Sequence, residues 1–176
     1  MQHKELTFEL KQAGEGSFEG LLSPFNVVDG GKDVVEPGAY TKTLKDKGNT
    51  RPLLWQHRSD TPIGEITLEE RTNGLWCKGQ LLMALPEAQK AHLLIKHKII
   101  KGLSIGFLSI QDSVVNGIRH LKEIALFEGS IVTFPMAEQA LIVSVKSRED
   151  AIAGLFAELK RAFQWQPPTQ IQRRNR

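Results

Sequence analysis

Cysteine is nearly absent from this sequence, which has only Cys77. A single cysteine cannot form a disulfide within the chain, so a disulfide-stabilised fold is excluded and a reducing compartment is favoured. Cysteine and histidine are not clustered as a structural zinc site requires. No apolar run approaches the ~20 residues that a membrane helix needs. We therefore expect no metal, no cofactor and no membrane partner.

Positive charge is in excess by only three units, and that excess lies at the end of the chain. The net charge is +3, and Arg173, Arg174 and Arg176 account for all of it. A nucleic-acid-binding domain usually presents a basic face on the fold itself. We therefore do not expect nucleic acid as a partner, although binding through the basic tail stays open as an alternative.

Short alternating segments dominate the sequence and predict β-strands. The segments 63–70 and 74–83 are separated by a Thr-Asn-Gly turn signal, so we predict a hairpin there. A Val-Asn-Gly signal at 115–117 predicts a turn between two further strands. A further strand is predicted over 5–11. With at least seven such strands, the sequence predicts a mainly β fold with some α, a small antiparallel β-barrel flanked by helices.

Three segments instead follow helical spacing. The helix predicted over 86–101 has a proline at its first position and Gly102 just past its end. A short helix is predicted over 39–47 and a last one over 147–163. The apolar stripe of the helix over 86–101 consists of Ala88, Ala91, Leu94, Ile95 and Ile99.

Ser104 lies in the segment Gly102-Leu103-Ser104-Ile105-Gly106, which matches the pattern G-x-S-x-G. A nucleophile elbow needs a strand before the serine and a helix after it, and here the predicted order is reversed. On a strand, Leu103 and Ile105 would face the core, and Ser104 would face outward between two glycines that leave room for a substrate backbone. A surface serine beside a glycine bend remains the alternative.

A serine hydroxyl needs a base to become a good nucleophile. His57 closes the apolar run 53–57 and shares a predicted strand face with Leu53 and Trp55, before a polar loop over 58–62. A half-buried imidazole has a restricted rotamer and a tunable pKa, as a general base requires. A satisfied core histidine is the alternative. The other histidines are His3, His92, His97 and His120.

A third residue would have to orient the imidazole. Glu128 interrupts an apolar stretch, where a carboxylate is costly to bury without a partner. A bulge beside Gly129 could equally turn it to solvent. Glu65, Glu123 and His120 are the other candidates. A cysteine hydrolase that uses Cys77 is a rival hypothesis, but a lone cysteine on a strand is usually a packing residue.

Six segments taken together resemble a known family, the prohead (capsid-maturation) proteases of bacteriophages, which are similar to the herpesvirus assemblins. The resemblance covers roughly residues 5–146, and its segments are FEGLLSPFN, VVEPGAYTKTL, LLWQHRSDTPIG, GLWCKGQL, KGLSIGF and LFEGSIVTFPMAEQALIVSV. It implies a β-barrel flanked by helices, with Ser104 as nucleophile, His57 as base and Glu128 as third member. His120 is a rival third member, because herpesvirus relatives use a second histidine. The chain departs from the family at Gly129, where isoleucine or valine is typical.

The resemblance also implies the function. We expect a serine endopeptidase that cleaves the phage scaffold or the capsid-protein extension during prohead maturation, and that cleaves itself. The protease domain would span 1–146, followed by the helix over 147–163 and a disordered basic tail over 164–176.

The implied partners are the major capsid protein or scaffold protein as substrate, and a second copy in a homodimer. The implied location is the assembling prohead in the cytoplasm of the bacterial host, and a prophage origin is compatible with it. A non-catalytic capsid-assembly or scaffold-binding protein on the same fold is the alternative.

Overall fold

The computed structural model describes residues 14–162. The strand predicted over 5–11 and the tail predicted over 164–176 lie outside this range. The described part contains eight strands and three helices. In chain order they are β1 (Ser17–Pro24), β2 (Asp33–Val35), α1 (Thr41–Lys47), β3 (Thr50–Trp55), β4 (Arg58–Arg71), β5 (Gly74–Leu81), α2 (Pro86–Lys96), β6 (Gly102–Val115), β7 (Ile118–Val132), β8 (Ile142–Val145) and α3 (Arg148–Ala162).

The eight strands form one curled sheet. Its main path runs β8-β1-β5-β4-β3-β7, with β2 beside the start of β7 and β6 along the opposite edge of β7. A bridge between Gly102 on β6 and Leu141, just before β8, joins β6 to the opposite end of the sheet. The predicted class, mainly β with a barrel-like sheet and flanking helices, is confirmed. The sheet is mixed, however, because β2 and β3 both run parallel to β7.

The predicted hairpin and the predicted turn at 115–117 are both present. Strands β4 and β5 pair around the turn at 72–73, and β6 and β7 pair around Asn116-Gly117. Both of these turn residues have positive φ, 52° and 78°, which the tight turns of hairpins require and which asparagine and glycine adopt readily. The segment 58–62, predicted as a polar loop, is instead the start of β4.

Helix α2 is shorter than predicted. It ends at Lys96 rather than continuing to 101, because Lys98 adopts a left-handed backbone with φ of 58° and its N–H bonds to the Ile95 carbonyl. Ile99 therefore leaves the apolar stripe and is 68% exposed. The chain then enters β6 directly, with Gly102 as its first residue.

Helix α3 begins where the last predicted helix was expected. The Ser147 hydroxyl accepts a hydrogen bond from the Asp150 N–H, and the Asp150 carboxylate accepts one from the Ser147 N–H. This reciprocal pair is a capping box in which aspartate replaces glutamate.

The division into a protease domain, a helix and a tail stays a prediction.

The core lies inside the curled sheet and is built from alternate residues of every long strand. Helix α2 covers part of it through Ala88, Ala91 and Ile95. The largest fully buried side chains are Tyr40, Leu22, Leu53, Ile63, Ile66, Leu75, Leu81, Leu103, Leu121, Ile124, Leu126 and Ile131. Each such aliphatic side chain contributes about 1.5–3 kcal/mol on burial, so β6 and β7 are fixed through Leu103 and Ile131.

Arg51 is a buried cation at the junction of α1, β3 and β7. Its guanidinium donates five hydrogen bonds to main-chain carbonyls, including those of Thr43, Gly48 and Leu126. The Thr43 hydroxyl accepts a hydrogen bond from the Leu126 N–H. Both main-chain groups of Leu126 are thus held by side chains from α1 and β3.

Replacing Arg51 with methionine removes the donors but keeps most of the side-chain volume. We expect Arg51→Met to lower the free energy of unfolding by about 3 kcal/mol, since several buried carbonyls lose their partners. Urea denaturation of the variant measures this loss. Lys78→Met, on an exposed position of β5, is the matched control and should unfold like the parent chain. Equal midpoints for both variants would contradict the role given to Arg51.

Candidate active site

Ser104 lies near the start of β6, directly opposite Ser130 on β7. Its neighbour Leu103 is fully buried and Ile105 packs against the core. Side chains alternate between the faces of a strand, so Ser104 lies on the outer face, where it is half-buried. Directly opposed residues of an antiparallel pair share a face. Ser104 and Ser130 therefore lie side by side outside the core.

A β-bulge places Glu128 on the same face. Gly106 pairs with Glu128, but the next residue, Phe107, pairs with Leu126, so Phe127 is left without a partner. Leu126 is fully buried in the core and Phe127 is 51% exposed. The extra residue shifts the alternation, so Glu128 lies on the outer face beside Ser130 rather than in the core beneath Leu126.

The glycines that flank Ser104 make room for protein groups rather than for a substrate backbone. A Cβ on Gly106 would overlap the Glu128 carboxylate, and one on Gly102 would lie 2.8 Å from Pro135. The expectation that both positions are open to substrate is therefore wrong. At Gly106, the missing side chain is what allows the carboxylate to lie flat against β6.

His57 does not continue β3 as the sequence predicted. Strand β3 ends at Trp55, which pairs with Arg58, and Gln56 and His57 form the two-residue turn between them. Both turn residues have left-handed φ values, 55° and 59°. This turn folds back over β7, where His57 Nδ1 lies 2.7 Å from Glu128 Oε1. The imidazole is 42% exposed, whereas the Glu128 side chain is only 11% exposed.

Three polar residues that the sequence did not single out hold the turn. The Gln56 side chain donates to Thr133 Oγ1 at 2.9 Å and accepts from the Thr133 N–H at 3.2 Å. The main-chain N–H of His57 donates to Ser130 Oγ at 3.2 Å. Ser130 could have been found from its place two residues after Glu128, on the same strand face. Nothing in the local pattern marked Gln56 or Thr133.

Glu128 sets the electrostatics of the imidazole. Its hydrogen bond to the ring raises the pKa of His57 above the ordinary value of 6.5, and partial burial of the ring opposes this rise. With Nδ1 bonded to the carboxylate, Nε2 is the ring nitrogen left for a serine hydroxyl. Among residues 14–162 no hydrogen bond joins the Ser104 hydroxyl to this ring. Such contacts are often long before substrate binds.

The other candidate residues lie apart from this cluster. His120, near the start of β7, pairs with Glu36 at 3.1 Å. Glu65 is exposed on β4, and Glu123 lies opposite Gln111 on the distal part of the β6–β7 hairpin. Cys77 is 1% exposed in the core, and burial raises the pKa of its thiol to about 12, which opposes any role as a nucleophile.

A small pocket adjoins Ser104. It has a volume of about 130 Å³, and the loops after β1 and β7 form its rim. Met136 and Ala137 come from the second loop. Its other lining residues are Leu22, Ser23, Pro24, Val27, Asp29, Asp33, Val35, Leu103, Ile105, Phe107, Leu121 and Ala140. A pocket of this size can take one side chain of a bound peptide.

Replacing Glu128 with glutamine tests the link between the carboxylate and the imidazole. The raised pKa of His57 means that the pair stabilises the folded state below about pH 6.5 and that this contribution disappears as pH rises through the folded-state pKa. Glu128→Gln should therefore lose more stability at about pH 5.5 than at about pH 9. Urea denaturation at both values measures this, with Glu65→Gln as the exposed control. Equal losses at both pH values would contradict the assigned pair.

Adding one methyl group at Gly106 tests the space reserved for the carboxylate. Gly106→Ala should displace the Glu128 side chain, so the His57 pKa should fall toward its ordinary value in an NMR titration. Gly154→Ala, on an exposed part of α3 where a Cβ meets nothing within 4 Å, is the control. An unchanged His57 titration in Gly106→Ala would show that the carboxylate does not depend on this glycine.

Two phage proteins are similar to this chain in sequence. The prohead protease of Enterobacteria phage HK97 is 34% identical over 155 residues, which cover 82% of this chain and 69% of that protein. The capsid polyprotein of Pseudomonas phage PAJU2 is 36% identical over 129 residues, which cover 66% of this chain but only 18% of the polyprotein.

A solved phage protease structure supports the fold. The capsid assembly protease of bacteriophage T4 superposes with a TM-score of 0.51 at 16% identity, over 66% of this chain and 82% of that one. The KSHV protease superposes with a TM-score of 0.48 at 13% identity, over 82% and 76% of the two chains. A family model described as caudovirus prohead serine protease matches residues 4–153. The predicted resemblance is confirmed: the chain belongs to the caudovirus prohead serine proteases and is a serine peptidase.

Proposed function

We propose that this peptidase hydrolyses peptide bonds through Ser104, with His57 as general base and Glu128 as the residue that orients the imidazole. The observation that carries the proposal is the 2.7 Å contact between His57 Nδ1 and Glu128 Oε1, made above the face that Ser104 shares with Ser130. A carboxylate on Nδ1 leaves Nε2 to accept the serine proton, which is the division of roles that a catalytic triad needs.

The proposed reaction has two steps. His57 Nε2 takes the proton from the Ser104 hydroxyl while the serine oxygen attacks the scissile carbonyl, and the imidazolium then gives that proton to the leaving amine. Water, deprotonated by the same nitrogen, hydrolyses the acyl-enzyme and restores Ser104. Glu128 stabilises the imidazolium in both steps, consistent with its effect on the His57 pKa.

The edge of β6 offers a place for an extended peptide. Beyond the bridge at Gly102, and within residues 14–162, β6 pairs only with β7, so its second edge is open beside Ser104. An extended substrate could add to this edge as a further strand. One of its side chains would then enter the 130 Å³ pocket beside Ser104. This arrangement favours cleavage inside a chain over trimming from an end.

Family membership implies action in the assembling prohead, and we propose the capsid protein extension or scaffold protein as substrate. The Pseudomonas phage PAJU2 relative is itself a capsid polyprotein, which supports a capsid protein as the partner. The site of action would be the prohead inside the bacterial host. In the described part, no helix is both long enough and apolar enough to cross a membrane.

Co-expression with the capsid protein of the same phage tests the proposal. We expect capsid-protein cleavage with the parent chain and none with Ser104→Ala or His57→Ala, because removal of a triad member leaves only a small residual rate. Gel shifts and intact masses measure the cleavage. Ser144→Ala and His97→Ala, on exposed positions of β8 and at the end of α2, are the matched controls.

Continued cleavage in Ser104→Ala would exclude this serine as the nucleophile. An intact capsid protein with every chain, the parent included, would favour the alternative of a non-catalytic assembly protein. The same masses test self-cleavage after Lys146, which should occur in the parent chain and not in Ser104→Ala. Sedimentation of the purified chain tests the implied homodimer, which should give twice the mass of 19.7 kDa.

A further inference from the structure

Ser130 contacts both members of the His57–Glu128 pair. Its side chain is fully buried. Its hydroxyl donates to Glu128 Oε2 at 2.7 Å and accepts from the main-chain N–H of His57 at 3.2 Å. We propose that Ser130 is a positioning residue that fixes the carboxylate and the imidazole relative to each other. This inference rests on the proposed function of that pair.

On the carboxylate side, Ser130 fixes the orientation of a buried charge. Glu128 has two oxygens, of which Oε1 contacts the His57 ring and Oε2 accepts the Ser130 hydroxyl. A carboxylate held at only one oxygen can rotate, whereas one held at both keeps its plane. A buried carboxylate oxygen without a donor also loses its hydration without compensation. Ser130 therefore keeps Oε1 aimed at Nδ1.

On the imidazole side, Ser130 anchors a strained backbone. His57 has a left-handed φ of 59°, which is unfavourable for a residue with a Cβ and persists only where the surroundings enforce it. Gln56, the residue before His57, is held by two hydrogen bonds. Its main-chain N–H donates to the Ile131 carbonyl, and its side chain donates to Thr133. The bond from the His57 N–H to Ser130 Oγ acts on the residue that carries the imidazole.

The two opposed serines have different roles in this account. Ser104 is half-buried beside a pocket and an open strand edge, whereas Ser130 is fully buried and its hydroxyl donates a hydrogen bond to Glu128. A bulky electrophile can reach only the first. Diisopropyl fluorophosphate should therefore label Ser104 alone, and the rate of labelling reports how well the imidazole activates that hydroxyl.

The experiment measures the rate of Ser104 labelling by diisopropyl fluorophosphate against pH, with the labelled residue identified by mass spectrometry. We expect Ser130→Ala to label about 10- to 100-fold more slowly, as for the loss of a hydrogen bond to a charged group. The midpoint of its pH profile should also fall, because a carboxylate free to rotate holds the imidazolium less well. Ser130→Cys has a side chain of similar shape but a weaker donor, so its labelling rate and pH midpoint should lie between those of the parent chain and Ser130→Ala.

Ser147→Ala is the matched control, since it removes another buried serine hydroxyl, the one that caps α3. It should lower the melting temperature but leave the rate and the midpoint unchanged. If Ser130→Ala or, where that variant does not fold, Ser130→Cys keeps the parent rate and midpoint, the positioning role is wrong. A slower rate with an unchanged midpoint, matched by a smaller folded fraction, would also overturn it.

The same assay separates this inference from the proposed function. If Ser104→Ala is not labelled and His57→Ala is labelled far more slowly than the parent chain, the proposed triad stands whatever Ser130 does. If His57→Ala is labelled at the parent rate, the proposed function fails, and the positioning role fails with it.

Discussion

The hydrogen bond between His57 Nδ1 and Glu128 Oε1 is the contact on which the rest of the site depends. It joins the β3–β4 turn to β7, although the two residues are far apart in the chain. It gives a buried carboxylate the partner that burial demands. It also fixes which ring nitrogen is left to accept a proton. The roles proposed for Ser104 and Ser130 both follow from this one contact.

Several locally unfavourable features have to coexist for this bond to form. Glu128 reaches the outer face because Phe127 is bulged, and its carboxylate fits because position 106 is glycine. His57 reaches Glu128 because two residues without glycine's freedom adopt left-handed backbone. Strain of this kind persists only where surrounding contacts outweigh it. At the bulge these contacts are the hydrogen bonds that Arg51 and Thr43 make to the main chain of Leu126, the residue before Phe127.

The sequence predicted the features that depend on local chemistry. Asn116-Gly117 predicted its turn because both residues accept positive φ, and the apolar periodicity of α2 predicted its buried face. The turn at His57 was not predictable in this way, since Gln56 carries no turn signal and the conformation is imposed by contacts with β7. The parallel pairing of β3 with β7 likewise depends on tertiary packing. Glu128 was a candidate because it interrupts an apolar stretch. The face of β7 on which it lies depends on a bulge that the sequence pattern did not decide.

The most direct test of the account is a crystal structure of the chain after reaction with a peptide phosphonate. The account predicts phosphorus bonded to Ser104 Oγ, His57 Nε2 within hydrogen-bonding distance of the adduct, and Glu128 still bonded to Nδ1. It also predicts an extended peptide along the open edge of β6. An adduct on any other residue, or an imidazole turned away from both Ser104 and Glu128, would contradict it.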